Sequence, residues 1–319
     1  MLNYYWRAVS GKGFYSEEVI KGVKEKVNSL TTEKAVWIKD FASGLSQAFQ
    51  IVENIEKSEE SYIQDLRYLN NMALLYPFII KAYRLQSDEK SISRLIRLFE
   101  NITFRHLLRG GRAEIEARLN YHLINYNTAV EIGKNLNDII WNLKNSGYWS
   151  YWNDYAMKSY LSGYFYQNRV DNYVLWKYEL YICDKNHPTN HKVSFDDLIR
   201  NESIEHIAPQ TPTNGDPIAN GYGSYKDEQN PSEGIISGGW LNNIGNLMLI
   251  SQTHNSSIGN KPFVEKLSSY GRDNLLNQQK EIAEYVEDKT NPVWDKAAIY
   301  KRQQAILNAA MVMWDLDNV

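Results

Sequence analysis

Two short stretches of this 319-residue chain gather side chains that can do chemistry. The first is Ile204-Glu205-His206-Ile207-Ala208-Pro209-Gln210, with an acid directly before an imidazole. Neighbouring residues of a straight strand point to opposite faces, so Glu205 and His206 can serve one site only where the strand ends or bends. The second stretch begins at Asn242-Asn243-Ile244-Gly245-Asn246-Leu247-Met248-Leu249-Ile250, which reads as a short buried strand. It continues to Thr253-His254-Asn255-Ser256-Ser257, which reads as a helix entrance. A strand with Glu-His, a second with Asn and a helix start with His-Asn compose a ββα finger that can hold one divalent cation. Hydrolysis of a phosphodiester asks for these residue types. Histidine titrates where water must be activated near neutral pH. Mg²⁺ prefers oxygen ligands and keeps several waters, so one carboxylate and one amide oxygen are enough protein to hold it.

The rest of the chain must position these residues. From about Ser16 to Tyr181 the dominant period is helical. Ser16-Glu17-Glu18 opens a helix with a cap and first-turn acids, followed by Val19, Val23 and Val27 at four-residue spacing. Leu66, Leu69, Met72, Ala73 and Tyr76 trace a stripe ending near Pro77, and Ile92, Leu95, Ile96 and Phe99 trace another. Asp184 to Lys192 is a turn-rich link, and the stretch from Thr211 to Gly239 is rich in Gly, Asn, Pro and Ser. Two helices, about Asp273 to Glu287 and Pro292 to Asp315, close the chain. The expected fold is mainly α: a multi-helix domain over 1–195, then a ββα-metal domain with C-terminal helices over 196–319.

Composition narrows the function classes. No apolar run approaches the roughly 20 residues of a membrane helix, and the N-terminus lacks a signal-peptide layout, so no membrane partner and a cytoplasmic home are expected. The single Cys183 rules out an internal disulfide framework and a multi-cysteine zinc site. A net charge of −3 argues against coating nucleic acid by bulk electrostatics, though not against a local basic groove. The densest candidate runs from Arg105 through Arg109 and Arg112 to Arg118. It reads as a helix whose last turn sets cations against its dipole before the Gly110-Gly111 stop, with phosphate contact as the alternative. Aromatics crowd the segment from Trp141 to Tyr181; they fill a core and its rim, or stack bases. His187 and His191 are four apart, but Pro188 stands against a helix through both, and loop histidines are expected.

The elements "EHIAPQ", "IGNLMLI" and "HNSSIGNKPFVEK" resemble the C-terminal nuclease domain of the GmrSD family of type IV, modification-dependent restriction enzymes, within the wider HNH, or His-Me finger, superfamily. The H-x-x-P-Q element is also similar to that of the HNH domain in RNA-guided CRISPR nucleases. The likeness continues through Trp294, Arg302 and Trp314 of the last helix and upstream into "NYVLWKYELY". It implies an HNH endonuclease that hydrolyses DNA, modified or not, with Mg²⁺ or Mn²⁺. By position, His206 would be the general base, Glu205 and Asn255 the metal ligands, and Asn246 the residue that orients the imidazole through its amide or carbonyl. His254 is open to phosphate contact or to replacing Asn255 as ligand. Lys261 and Lys266 would touch the DNA backbone, with a solvated face as the alternative. This assignment predicts irregular backbone at "EHIAP" and Asn255 within reach of Glu205.

Full-length members carry a D-G-Q-Q-R nucleotide-handling motif, which this sequence lacks, as it lacks a G-x-x-x-x-G-K-[ST] phosphate loop. The expectation is therefore the C-terminal part of a longer enzyme, with an N-terminal nucleotide-handling domain elsewhere, or a shortened relative. One finger cuts one strand, so nicking is expected of a monomer. The rival reading is a catalytically silent HNH-like module that docks nucleic acid or a partner protein, and RNA as substrate is a lesser variant.

Overall fold

Apolar residues at three- and four-residue spacing drive most of the chain into helices, and the computed structural model describes residues 1–12, 16–111, 114–186, 194–211, 213–216, 218–223, 239–272 and 276–319. Arg112, the two histidines His187 and His191, and most of the stretch from Thr211 to Gly239 lie outside the described residues. The chain divides into two compact units, Met1–Asn153 with Leu316–Val319, and Asp154–Asp315. No described helix is long and apolar enough to cross a membrane.

The first unit is helical: α1 Leu2–Ser10, α2 Ser16–Ser29, α3 Lys34–Glu56, α4 Ser61–Tyr68, α5 Tyr76–Arg84, α6 Glu89–Leu108, α7 Ile115–Ile124 and α8 Glu131–Asn145, followed by a 3₁₀ segment Gly147–Trp152. Helix α6 starts at Asp88, whose carboxylate accepts the Ser91 amide at 2.9 Å. Its stripe of Ile92, Leu95, Ile96, Phe99 and Ile102 is buried at the centre of the unit's core. The helix stops at Gly110 and Gly111, with φ of 93° and 70°, whose amides donate to the Leu107 and His106 carbonyls. The stripe from Leu66 to Tyr76 is not one helix. The chain leaves α4 through Asn70 at φ 51°, makes a 3₁₀ turn over Met72–Leu74 and enters α5 at Tyr76. Pro77 therefore opens a helix instead of ending one, because the first turn has no use for the amide proton that proline lacks.

The second unit holds α9 Asp154–Ser162, α10 Asp171–Asn186, α11 Phe195–Asn201, β1 Glu202–His206, β2 Leu247–Ser251, α12 Gln252–Ile258, α13 Phe263–Tyr270, α14 Asn277–Lys280 and α15 Lys296–Met313. Strands β1 and β2 pair antiparallel from Glu202↔Ser251 to His206↔Leu247, and α12 follows β2 directly and packs on both strands. Met248, Ile250, Phe263, Tyr270, Trp294 and Ile299 form the core around this hairpin. The helix expected up to Glu287 is α14 and a 3₁₀ turn, Glu281–Glu284. Helices α9 and α10, expected within the helical domain, belong to the second unit. Glu179 of α10 accepts the Asn277 and Gln278 amides at 2.7 and 2.9 Å, and the helix packs on β2, α14 and α15. Periodicity identifies a helix without saying which core its apolar face joins.

Helix α15 lies hard against the 3₁₀ turn Ile244–Asn246 that leads into β2. A Cβ on Gly245 would stand 2.2 Å from the Ile299 carbonyl oxygen and 3.0 Å from the Gln303 nitrogen. Both are backbone atoms of a packed helix and cannot step aside. Gly245→Ala is expected to lower stability by about 1–3 kcal/mol, the range for overpacking. Urea unfolding measures it, and a midpoint equal to that of the wild type would contradict the close approach.

Candidate functional site

Strand β1 ends at His206 because the backbone beyond it is claimed by one side chain. The Asn246 amide oxygen accepts the Ala208 N–H at 2.9 Å, and its nitrogen donates to the carbonyls of Ala208 at 3.1 Å and Leu241 at 2.8 Å. The Trp294 indole donates to the same Asn246 oxygen at 2.9 Å, and the Asn246 backbone carbonyl accepts the Ile207 amide at 2.9 Å. Asn246 is fully buried, so these bonds face no competition from water. It fixes residues 207 and 208 and so aims His206 through the backbone; its amide does not touch the imidazole. The partner of the ring is Asn242, whose oxygen lies 3.2 Å from Nε2, while the Tyr166 ring packs edge-on at 4.5 Å. Accepted by that oxygen, Nε2 carries the proton and Nδ1 keeps a lone pair. Burial holds the imidazole below the ordinary histidine value, opposed by the Asn242 bond and reinforced by the Lys266 charge.

Glu205 points the other way. The ladder stays regular through Glu205↔Met248 and His206↔Leu247, and the bend comes only at Ile207 and Ala208. The bend falls within the expected stretch "EHIAP", but after the acid and the imidazole, so pairing with β2 keeps those two on opposite faces. The carboxylate Oε1 accepts Lys266 Nζ at 2.5 Å and the Tyr270 hydroxyl at 3.3 Å. Lys266 also donates to the carbonyls of His206 at 3.1 Å and Ile207 at 3.3 Å, which uses all three protons of an ammonium. Burial pushes the Glu205 carboxyl up and the Lys266 ammonium down, and the attraction between them opposes both. The ion pair is the form that fits three acceptors around one nitrogen. Lys266 is fully buried and so does not face DNA.

Asn255 donates to Ser203 Oγ at 2.9 Å, and Ser203 shares a strand face with Glu205, so the two expected ligands do lie on one side of the hairpin. A carboxylate neutralised by an adjacent ammonium is nevertheless a poor ligand for a divalent cation, which would meet the charge of Lys266 beside it. With Lys266 seated, Glu205 and Asn255 do not fit a resident metal. Among the described residues no group of three or more His, Cys, Asp or Glu side chains is placed to hold one.

Residues 149–309, about half of the chain, match the family described as GmrSD restriction endonucleases, C-terminal domain. The chain belongs to this family. No curated protein matches it. Membership makes it a domain related to restriction endonucleases, with DNA as the implied substrate.

In this GmrSD-type domain both ring nitrogens of His254 are engaged, Nε2 with Ser269 Oγ at 2.5 Å and Nδ1 with the Gln279 amide at 3.2 Å. That histidine holds α12 to α13 and α14 and is not free for a phosphate or a metal. Lys261 is exposed, while its carbonyl accepts the Tyr222 hydroxyl. Trp294, Arg302 and Trp314 are all fully buried. Arg302 bonds Glu281 at 3.0 Å and caps the carbonyls of Ile244, Gly245 and Leu247, so α15 holds the start of β2. Asn242, Tyr166 and Tyr270 were missed in the sequence. Asn242 sits inside the quoted motif, four residues before Asn246, but the other two carry no signal in spacing.

Lys266→Met is expected to cost about 3–5 kcal/mol, as for removing one partner of a buried pair. Adding Glu205→Gln should recover part of that loss, because the uncompensated charge is gone. Urea unfolding of both single variants and the double variant reads this, and additive losses would show that the two groups do not act as a pair.

Proposed function

We propose that this domain hydrolyses DNA as an HNH-type, nicking endonuclease, with His206 as general base. The observation that carries the reading is the buried imidazole at the end of β1, its Nε2 3.2 Å from the Asn242 amide oxygen, an arrangement that leaves Nδ1 as the acceptor. Nδ1 takes a proton from water, the resulting hydroxide attacks phosphorus, the bond from phosphorus to the 3′ oxygen breaks, and that oxygen takes a proton from solvent, giving a 3′ hydroxyl and a 5′ phosphate. Asn246 and Lys266 are positioning residues, because they grip the backbone on either side of the peptide that follows His206. The divalent cation expected of an HNH site has no place in these steps while Lys266 occupies Glu205. DNA is the substrate that the family's name as restriction endonucleases favours.

The buried Lys266–Glu205 pair favours one second reading, a silent module in which the finger survives as scaffold. Plasmid nicking with Mg²⁺ or Mn²⁺ separates the two. The nuclease reading expects nicking by the wild type and a loss of at least about 100-fold in His206→Ala, the lower range for a general base. Equal nicking by the variant would remove His206 from the mechanism, and no nicking by the wild type would leave the module.

The pH profile follows from the same ring. Its folded-state value is lowered below the ordinary 6.5, so the base stays unprotonated down to lower pH than a free histidine. The acid limb of kcat/KM is expected to have its midpoint below 6.5. For stability the sign is the same: an unfolded chain takes up the proton first, so this contribution is present above the unfolded value and lost as pH falls through the folded one. A limb midpoint above 6.5 would contradict the burial of the ring.

A further inference from the structure

We propose that a patch of the first unit, built from Arg109, Arg118, Tyr148 and Tyr151, binds single-stranded DNA. The guanidinium of Arg118 lies 3.9 Å over the Tyr148 ring and 4.8 Å over that of Trp152, and Arg109 lies 4.2 Å over Tyr151. Stacking uses the faces of a guanidinium and leaves its in-plane N–H edge to other partners. Here that edge is unspent. Nε of both arginines and Nη1 of Arg118 are shielded from solvent and have no acceptor, and neither side chain meets a carboxylate among the described residues. Arg105, four residues before Arg109, shows the contrast: it is buried and donates to Asn101 at 2.6 Å and to the Trp152 carbonyl at 2.8 Å. The negative end of α6 accounts for a cation at Arg109. It does not account for Arg118, the fourth of ten residues of α7 and so near the positive end of that helix.

Both arginines are partly exposed, and a phosphate would meet the guanidinium nitrogens that reach solvent, not the shielded ones. The rings beneath them remain open to solvent, Tyr148 at 67% exposure and Tyr151 at 44%. A base stacks on such a ring only when it is unstacked from its neighbours, which selects single strands over duplex. Space is left for a strand, since a Cβ on Gly110, next to Arg109, would meet nothing within 4 Å. The choice of DNA as the polymer rests on the nuclease reading. The patch itself rests on two partly exposed arginines stacked on tyrosine rings that stay open to solvent.

The test uses the full chain with His206→Ala, so that the polymer is not consumed, and fluorescence anisotropy with a labelled single strand of about 12 nucleotides, within the span such sites cover. The matching duplex is the second probe. The single strand is expected to bind more tightly than the duplex, and Tyr148→Leu to weaken it about tenfold, as for loss of one stacked base. Arg109→Gln and Arg118→Gln should each lower the slope of log affinity against log salt by about 0.7. Tyr148 and Arg109 carry the test if Arg118→Gln, checked by circular dichroism, fails to fold. Wild-type affinity in Tyr148→Leu and Arg109→Gln overturns the proposal. So do a single strand that does not bind, and a Tyr148→Leu variant that weakens duplex and single strand alike. Failure of the nuclease reading shows separately, as undiminished plasmid nicking by His206→Ala.

Discussion

The second unit depends on one buried amide. Asn246 spends its oxygen on Ala208 and Trp294 and its nitrogen on Ala208 and Leu241, and its backbone carbonyl accepts Ile207. Each of these groups would be costly to leave unpaired in a dry interior. The bonds therefore fix where β1 stops and how the chain turns after His206. The same residue ends the 3₁₀ turn that α15 covers, so the last helix of the unit and the first strand of the hairpin meet at a single side chain. Arg302 reinforces the junction by capping three carbonyls of that turn and the strand after it. Gly245 is the space that lets the helix come so close.

Charge is handled in two ways. Inside the second unit two cations are fully buried, Lys266 with Glu205 and Arg302 with Glu281, and each also donates to backbone carbonyls at the ends of the hairpin. Such pairs add little net stability over an apolar core, but they fix geometry, because each paired donor holds its acceptor in place, although Nη2 of Arg302 has no acceptor. On the first unit Arg109 and Arg118 are stacked on aromatic rings, and some of their shielded nitrogens have no acceptor. A modest net charge of −3 conceals this contrast, since the basic groups that matter are local.

In this member of the GmrSD family an acid and an imidazole are adjacent in the chain and divided by the sheet. His206 faces Tyr166 and Asn242, while Glu205 faces α13. Nothing in the hairpin forces a carboxylate so placed to be a ligand. Its lysine partner lies on a helix whose register also brings Tyr270, one turn on, to the same oxygen.

Much of this was legible in the sequence. Apolar spacing foretold the helices, the two compact motifs foretold a strand pair followed by a helix, and their residues pointed to the family that the chain proves to belong to. Local signals do this because helical and strand periods, caps and glycine stops act over a few residues. Three things were decided only by packing. Pro77 starts a helix because the chain turns at Asn70. Helices α9 and α10 join the second unit because their apolar faces meet the hairpin and α15. Lys266 turns inward to Glu205 instead of outward to solvent. A side chain's type and position on a helix fix what it can bond, but its partner comes from elements 60 residues away in sequence, as His206 and Lys266 are. No local pattern records that distance.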